Sequence, residues 1–77
     1  MRVLETIPHP DFLISIFYMN EKFLLKIEAG PYEQIYKFTK EMAPDIDAVK
    51  KIANHNLIKD AKLVFDQMHQ NLLQNFQ

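Results

Sequence analysis

Hydrophobic side chains recur along this chain with two different periods, and the point where one gives way to the other divides it. Up to about Phe38 apolar and polar positions alternate, whereas beyond Pro44 the apolar ones return every three or four residues. The first pattern belongs to half-buried β-strands and the second to amphipathic helices. Strands are expected over about residues 2–7, 12–19, 22–28 and 32–38, and helices over about 45–54 and 57–75. The expected fold is therefore α+β and a single domain over residues 1–77. A four-stranded antiparallel β-meander is followed by a short helix and by a long C-terminal amphipathic helix packed on one sheet face.

Each connection carries its own turn chemistry. Phe12 to Met19 and Phe23 to Ile27 are rich in β-branched and aromatic residues, and Asn20-Glu21 between them suits a two-residue turn. Pairing across that turn sets Tyr18 opposite Phe23, Ile16 opposite Leu25 and Ile14 opposite Ile27, so one face is wholly apolar. A slip of one residue would scatter it. The next turn holds Gly30, the only glycine, followed by Pro31. Pairing there sets Leu25 against Tyr36 and Phe23 against Phe38. It also sets Glu28 against Glu33, a like-charge pair that predicts splayed strand ends or a wider loop. The first strand ends at Pro8-His9-Pro10, where two prolines enforce an extended or turning backbone.

In Pro44-Asp45-Ile46-Asp47, Asp45 is the expected N-cap. The first helix is expected to stop at Asn54-His55-Asn56, with Asn56 capping the second. In that second helix Leu57, Ala61, Val64, Phe65, Met68, Leu72 and Phe76 share one stripe. Over roughly 30 Å of helix, the stripe is long enough to cross the sheet and cover its apolar face. Phe23, Tyr36, Phe38, Phe65 and Met68 all fall in the expected core. Two apolar sets remain over. Leu13, Phe17, Leu24 and Ile35 lie on the opposite sheet face among Ser15, Lys22, Lys26, Glu28, Glu33 and Lys37; Leu63 and Leu73 lie off the helix stripe. A small monomer seldom exposes so much apolar surface.

Composition narrows the picture. A 77-residue chain has one core, burying roughly 60% of the unfolded surface and supplying about 3–5 kcal/mol of net stability. Cysteine is absent, which excludes disulfides and points to a reducing, cytoplasmic setting. Glu5 and Pro8 interrupt the N-terminal segment, so it does not read as a signal peptide. No apolar run approaches the roughly 20 residues of a membrane-spanning helix. The formal charge is −1 and the charges are interspersed, whereas free-standing nucleic-acid binders more often carry a basic excess.

Candidate chemistry is sparse. His9-Pro10-Asp11 resembles, over three residues, the tripeptide of the J-domain co-chaperones, where it lies between two long helices. Here strand-like sequence flanks it, and a structural turn is expected, with Asp11 accepting from a nearby amide. His9, His55 and His69 show no helical pair spacing suited to zinc. Ser15, the sole serine, falls mid-strand opposite Lys26 without an activating base. One glycine excludes the glycine-rich phosphate loops. The expectation is a non-enzymatic protein without cofactor or metal.

That leaves binding. The preferred expectation is a homodimer, or a module for a heterologous protein, that buries Leu13, Phe17, Leu24 and Ile35 or a Leu63/Leu73 ridge. The alternative is single-stranded nucleic acid on the face bearing Lys22, Lys26, Lys37 and Phe17, basic groups beside an aromatic ring. In topology the chain resembles the single-stranded-DNA-binding coactivator and PUR-type modules, which combine a four-strand meander with a helix and dimerise.

Overall fold

The alternating segments form one sheet. The structure is a computed structural model that describes residues 2–76, Arg2 by its backbone alone. Strands β1 (Arg2–Ile7), β2 (Leu13–Met19), β3 (Lys22–Ala29) and β4 (Tyr32–Phe38) are antiparallel and lie in chain order, as a meander must. The β2–β3 register pairs Tyr18 with Phe23, Ile16 with Leu25 and Ile14 with Ile27. Asn20 and Glu21 both take positive φ, 52° and 63°, the pattern of a type I′ turn whose twist suits the hairpin.

At the second hairpin the expected splaying does not occur. Glu28 faces Glu33, and pairing continues to Ala29 and Tyr32, so the loop is only Gly30-Pro31. The reason is Lys26, whose Nζ lies 2.8 Å from Glu28 and 3.4 Å from Glu33 and offsets their repulsion. Gly30, with φ 60°, supplies the positive φ that the turn requires ahead of proline. In β1 the register shifts at Leu4, so that Val3 pairs with Phe17 but Glu5 with Ile16. This bulge turns Glu5 and Ile7 toward the helices, where the Glu5 carboxylate forms an ion pair with Lys50.

Beyond Phe38 the chain turns at Thr39, whose carbonyl accepts from the amides of Met42 and Ala43 at 3.1 and 2.9 Å. Asp45 then caps helix α1 (Ile46–Ile52), accepting from the Ala48 amide at 2.8 Å.

The expected break at Asn54-His55-Asn56 is absent. A π-helical segment, Ala53–Leu57, joins α1 directly to α2 (Ile58–Asn75), and Asn56 caps nothing because the backbone stays right-handed helical through the junction. Core packing accounts for this. Val49, Ala53, Leu57, Ala61 and Phe65 recur at four successive steps of four residues. In an α-helix of 3.6 residues per turn, those steps would carry the apolar stripe roughly 160° around the axis. A π turn winds less per residue and keeps the stripe against the sheet.

The core lies between one sheet face and this long helix. Ile14, Ile16, Leu25 and Ile27 form one buried cluster with Val49, Ala53, Ala61 and Phe65, joined by Phe38 and Ala43. Gln34 reaches across to donate to the Ala61 carbonyl at 2.9 Å, and the Tyr36 hydroxyl donates to Gln34 Oε1 at 2.7 Å. Among the described residues no helix is long and apolar enough to cross a membrane.

Candidate interaction surfaces

The outer sheet face follows from the register. One row runs Val3, Phe17, Leu24, Lys37 and the next runs Thr6, Ser15, Lys26, Ile35. Leu24 is only 5% exposed, enclosed by its own neighbours, and Phe17 is half-buried. Ile35 is a diagonal neighbour of Leu24. Leu13 sits two pleats beyond Phe17, in a row with Glu28 and Glu33, so the Lys26 ion-pair network lies between them. The structure thus brings Phe17, Leu24 and Ile35 together with Val3 and leaves Leu13 apart. Of the three lysines on this face, Lys26 is held by two carboxylates that raise its pKa, Glu28 foremost, while Lys22 and Lys37 flank Leu24.

Helix α2 provides a second surface. Thirty residues of continuous helix, Ile46 to Asn75, extend about 45 Å, and the molecule measures 43 × 23 × 20 Å. The sheet cannot cover that length. Met68 is the last stripe residue packed on the core, and the final anchor is the Tyr32 hydroxyl, hydrogen-bonded to His69 Nδ1 at 2.9 Å. His69 is thereby satisfied while remaining exposed. Past this point Leu72 is 45%, Leu73 53% and Phe76 81% exposed. Leu72 and Phe76, expected on the packed stripe, overhang the sheet end instead.

Leu63 and Leu73 do not form a ridge. Ten residues separate them, they are rotated about 80° from each other, and Leu63 points away from the sheet with polar residues around it. Leu73 instead joins Leu72 and Phe76. From Gln67 onward the chain holds no Asp, Glu, Lys or Arg, so Leu72, Leu73 and Phe76 are interspersed only with neutral polar side chains along the overhang. Spacing alone puts Leu72 and Phe76 on the stripe, but a helix of more than ample length to cross the sheet outruns it, and these last members are left uncovered.

A third feature joins residues distant in sequence. The β1–β2 connection is a compact turn, as expected, but its hydrogen bond is reversed: the Asp11 amide donates to His9 Nδ1 at 3.1 Å. The His9 ring stacks on Phe12 at 4.9 Å and 12°, and Phe12 packs on Phe65 at 5.3 Å. This turn stands beside the π segment and forms an open groove of about 390 Å³ with it, lined by His9, Asp11, Phe12, His55, Lys59 and Lys62 among others. A second groove of about 320 Å³ continues along Phe12, Tyr32, Phe65 and His69 toward the overhang.

Ser15 lies opposite Lys26 as expected, but Lys26 turns to the glutamates. Among the described residues no three His, Asp or Glu side chains converge as metal ligands. The fold defines a class: an open, two-edged meander backed on one face by a single long helix. No protein-family model matches the chain, nor does any curated protein or solved structure.

Proposed function

We propose that this protein is a non-enzymatic interaction module that self-associates, and that the overhanging end of α2 is its principal contact. The observation that carries this reading is the exposed Leu72, Leu73 and Phe76 on a helical end that leaves the sheet behind. Most helical stability in proteins comes from tertiary packing of an apolar face, and these last two turns have no sheet beneath them, with Asn71 and Asn75 as weak helix formers. Their local support is a Gln67–Asn71 side-chain hydrogen bond at 2.9 Å and an Asn75 bond to the Asn71 carbonyl at 2.8 Å. Burial against a partner supplies the missing stabilisation.

A second copy of this chain suits the surface. Because the overhang carries no Asp, Glu, Lys or Arg side chain, two of them can approach antiparallel without repulsion between like-charged side chains, and a two-fold axis near Leu72 brings each Phe76 to the other copy's Met68. Helix pairing alone falls short of the roughly 800 Å² per partner of a stable interface. The groove at Phe12, Tyr32 and Phe65, into which the other copy's Phe76 inserts, enlarges it. The outer-face residues Val3, Phe17 and Ile35 form a secondary surface for a further partner.

Sedimentation equilibrium over a concentration series tests this. The wild type associates, whereas Leu72→Ser combined with Phe76→Ser gives a folded monomer and Leu63→Ser changes nothing. Wild type that stays monomeric at millimolar concentration sinks the proposal. Dissociation caused by Phe17→Ser but not by the helix variants moves the interface to the sheet.

A further inference from the structure

The geometry points to a binding site for a small organic anion in the groove between the β1–β2 turn and the π segment. Three pieces of chain meet there: His9, Asp11 and Phe12 from the turn, Ala53, Asn54 and His55 from the π segment, and Ile58, Lys59 and Lys62 from the first turns of α2. Phe12, Ala53 and Ile58 make an apolar floor, and the side chains above it are mostly nitrogen donors. At about 390 Å³ the groove falls within the range of small-ligand sites, which pair an apolar lining with a few convergent polar groups.

The donors are set by the fold. Because His9 Nδ1 accepts the Asp11 amide proton, the neutral ring carries its own proton on Nε2 and offers it as a donor. Stacking on Phe12 fixes the plane of that ring and gives a flat ligand an aromatic wall. Lys59 and Lys62 are on the helix face that lines the groove with His55, and neither forms an ion pair among the described residues. Asp11 is the one carboxylate in the lining; Asp66 belongs to the adjoining groove. In a chain of net charge −1, this spot gathers cationic and donor groups over an apolar floor. The chemistry it recognises is a carboxylate or phosphate ester on a flat apolar body, with the anion held by Lys59 and Lys62 through charge-assisted hydrogen bonds.

Backbone amide NMR titrations of the full chain with phenyl phosphate, benzoate and uncharged benzyl alcohol, each to about 10 mM, test the site. One or both anions should shift the amides of Asn54, His55 and Lys59, and benzyl alcohol should not. Binding by phenyl phosphate alone would identify a phosphate ester, and binding by benzoate alone a carboxylate. Lys59→Gln with Lys62→Gln, both at exposed positions, should weaken binding about tenfold or more, while Lys22→Gln on the far sheet face leaves it unchanged. Equal shifts with benzyl alcohol, undiminished binding by the double variant, or no shifts with either anion would overturn the assignment.

Discussion

At the scale of single residues, the sheet is held in register by a few side chains whose substitution has predictable signs. Glu21 carries φ 63° at the turn position where glycine is strongly preferred. Glu21→Gly should therefore stabilise the protein by about 1 kcal/mol, less the small loss of its exposed, 3.9 Å contact with Lys40. Urea denaturation would measure the gain, and a loss would contradict the turn assignment. Lys26 is the reverse case. Its raised pKa, caused by ionised Glu28 and Glu33, means that its stabilisation is complete from above the carboxylate range up to the ordinary lysine value of 10.5 and disappears as pH rises through the higher folded-state value. Replacing it with glutamine leaves Glu28 facing Glu33. The Lys26→Gln variant should melt below wild type near neutral pH, and the two should converge as the carboxylates protonate below about pH 4. A melting difference independent of pH would mean that packing, not charge, gives Lys26 its role.

At the scale of elements, the helix separates two aspartate and asparagine positions that look alike in sequence. Asp45→Ala should cost about 1 kcal/mol because a helix-end amide loses its acceptor. By contrast Asn56→Ala, inside the π segment, should be neutral or stabilise by a few tenths of a kcal/mol. Chemical denaturation of both variants distinguishes one continuous helix from two capped ones.

The strands were legible because period-two alternation and two short turns admit a single register. The helical junction was misread because Asn54-His55-Asn56 resembles a stop and restart signal. The contrary signal lay in the same sequence: Val49, Ala53, Leu57, Ala61 and Phe65 keep a strict spacing of four, which an α-helix can hold on one face only by underwinding. The like charges of Glu28 and Glu33 misled for a related reason. The lysine that neutralises them stands two residues along the same strand face, and pairwise reading across strands does not reach it. The groove residues were not grouped at all, because only the fold brings His9 beside His55.

At the scale of the whole molecule, one small core supports both the sheet and a helix longer than the sheet is wide. Phe65 is central to it, joining the helix to Phe12 of the β1–β2 turn. Phe65→Ala should remove about 3–5 kcal/mol, comparable with the whole net stability of a domain this size. The variant should be largely unfolded by circular dichroism, and a cooperative native-like melt would show that the core lies elsewhere. The helix reaches the sheet end at the Tyr32–His69 hydrogen bond and continues, carrying Leu72, Leu73 and Phe76 into solvent.

If the protein self-associates as proposed, the order of that last segment depends on a second copy. Amide hydrogen exchange of residues 70–75 as a function of protein concentration tests this most directly. Protection at those amides should rise from near zero in dilute solution to a plateau as copies associate, while β2 and β3 stay protected throughout. Fast exchange at every concentration, or protection that does not depend on concentration, would contradict it.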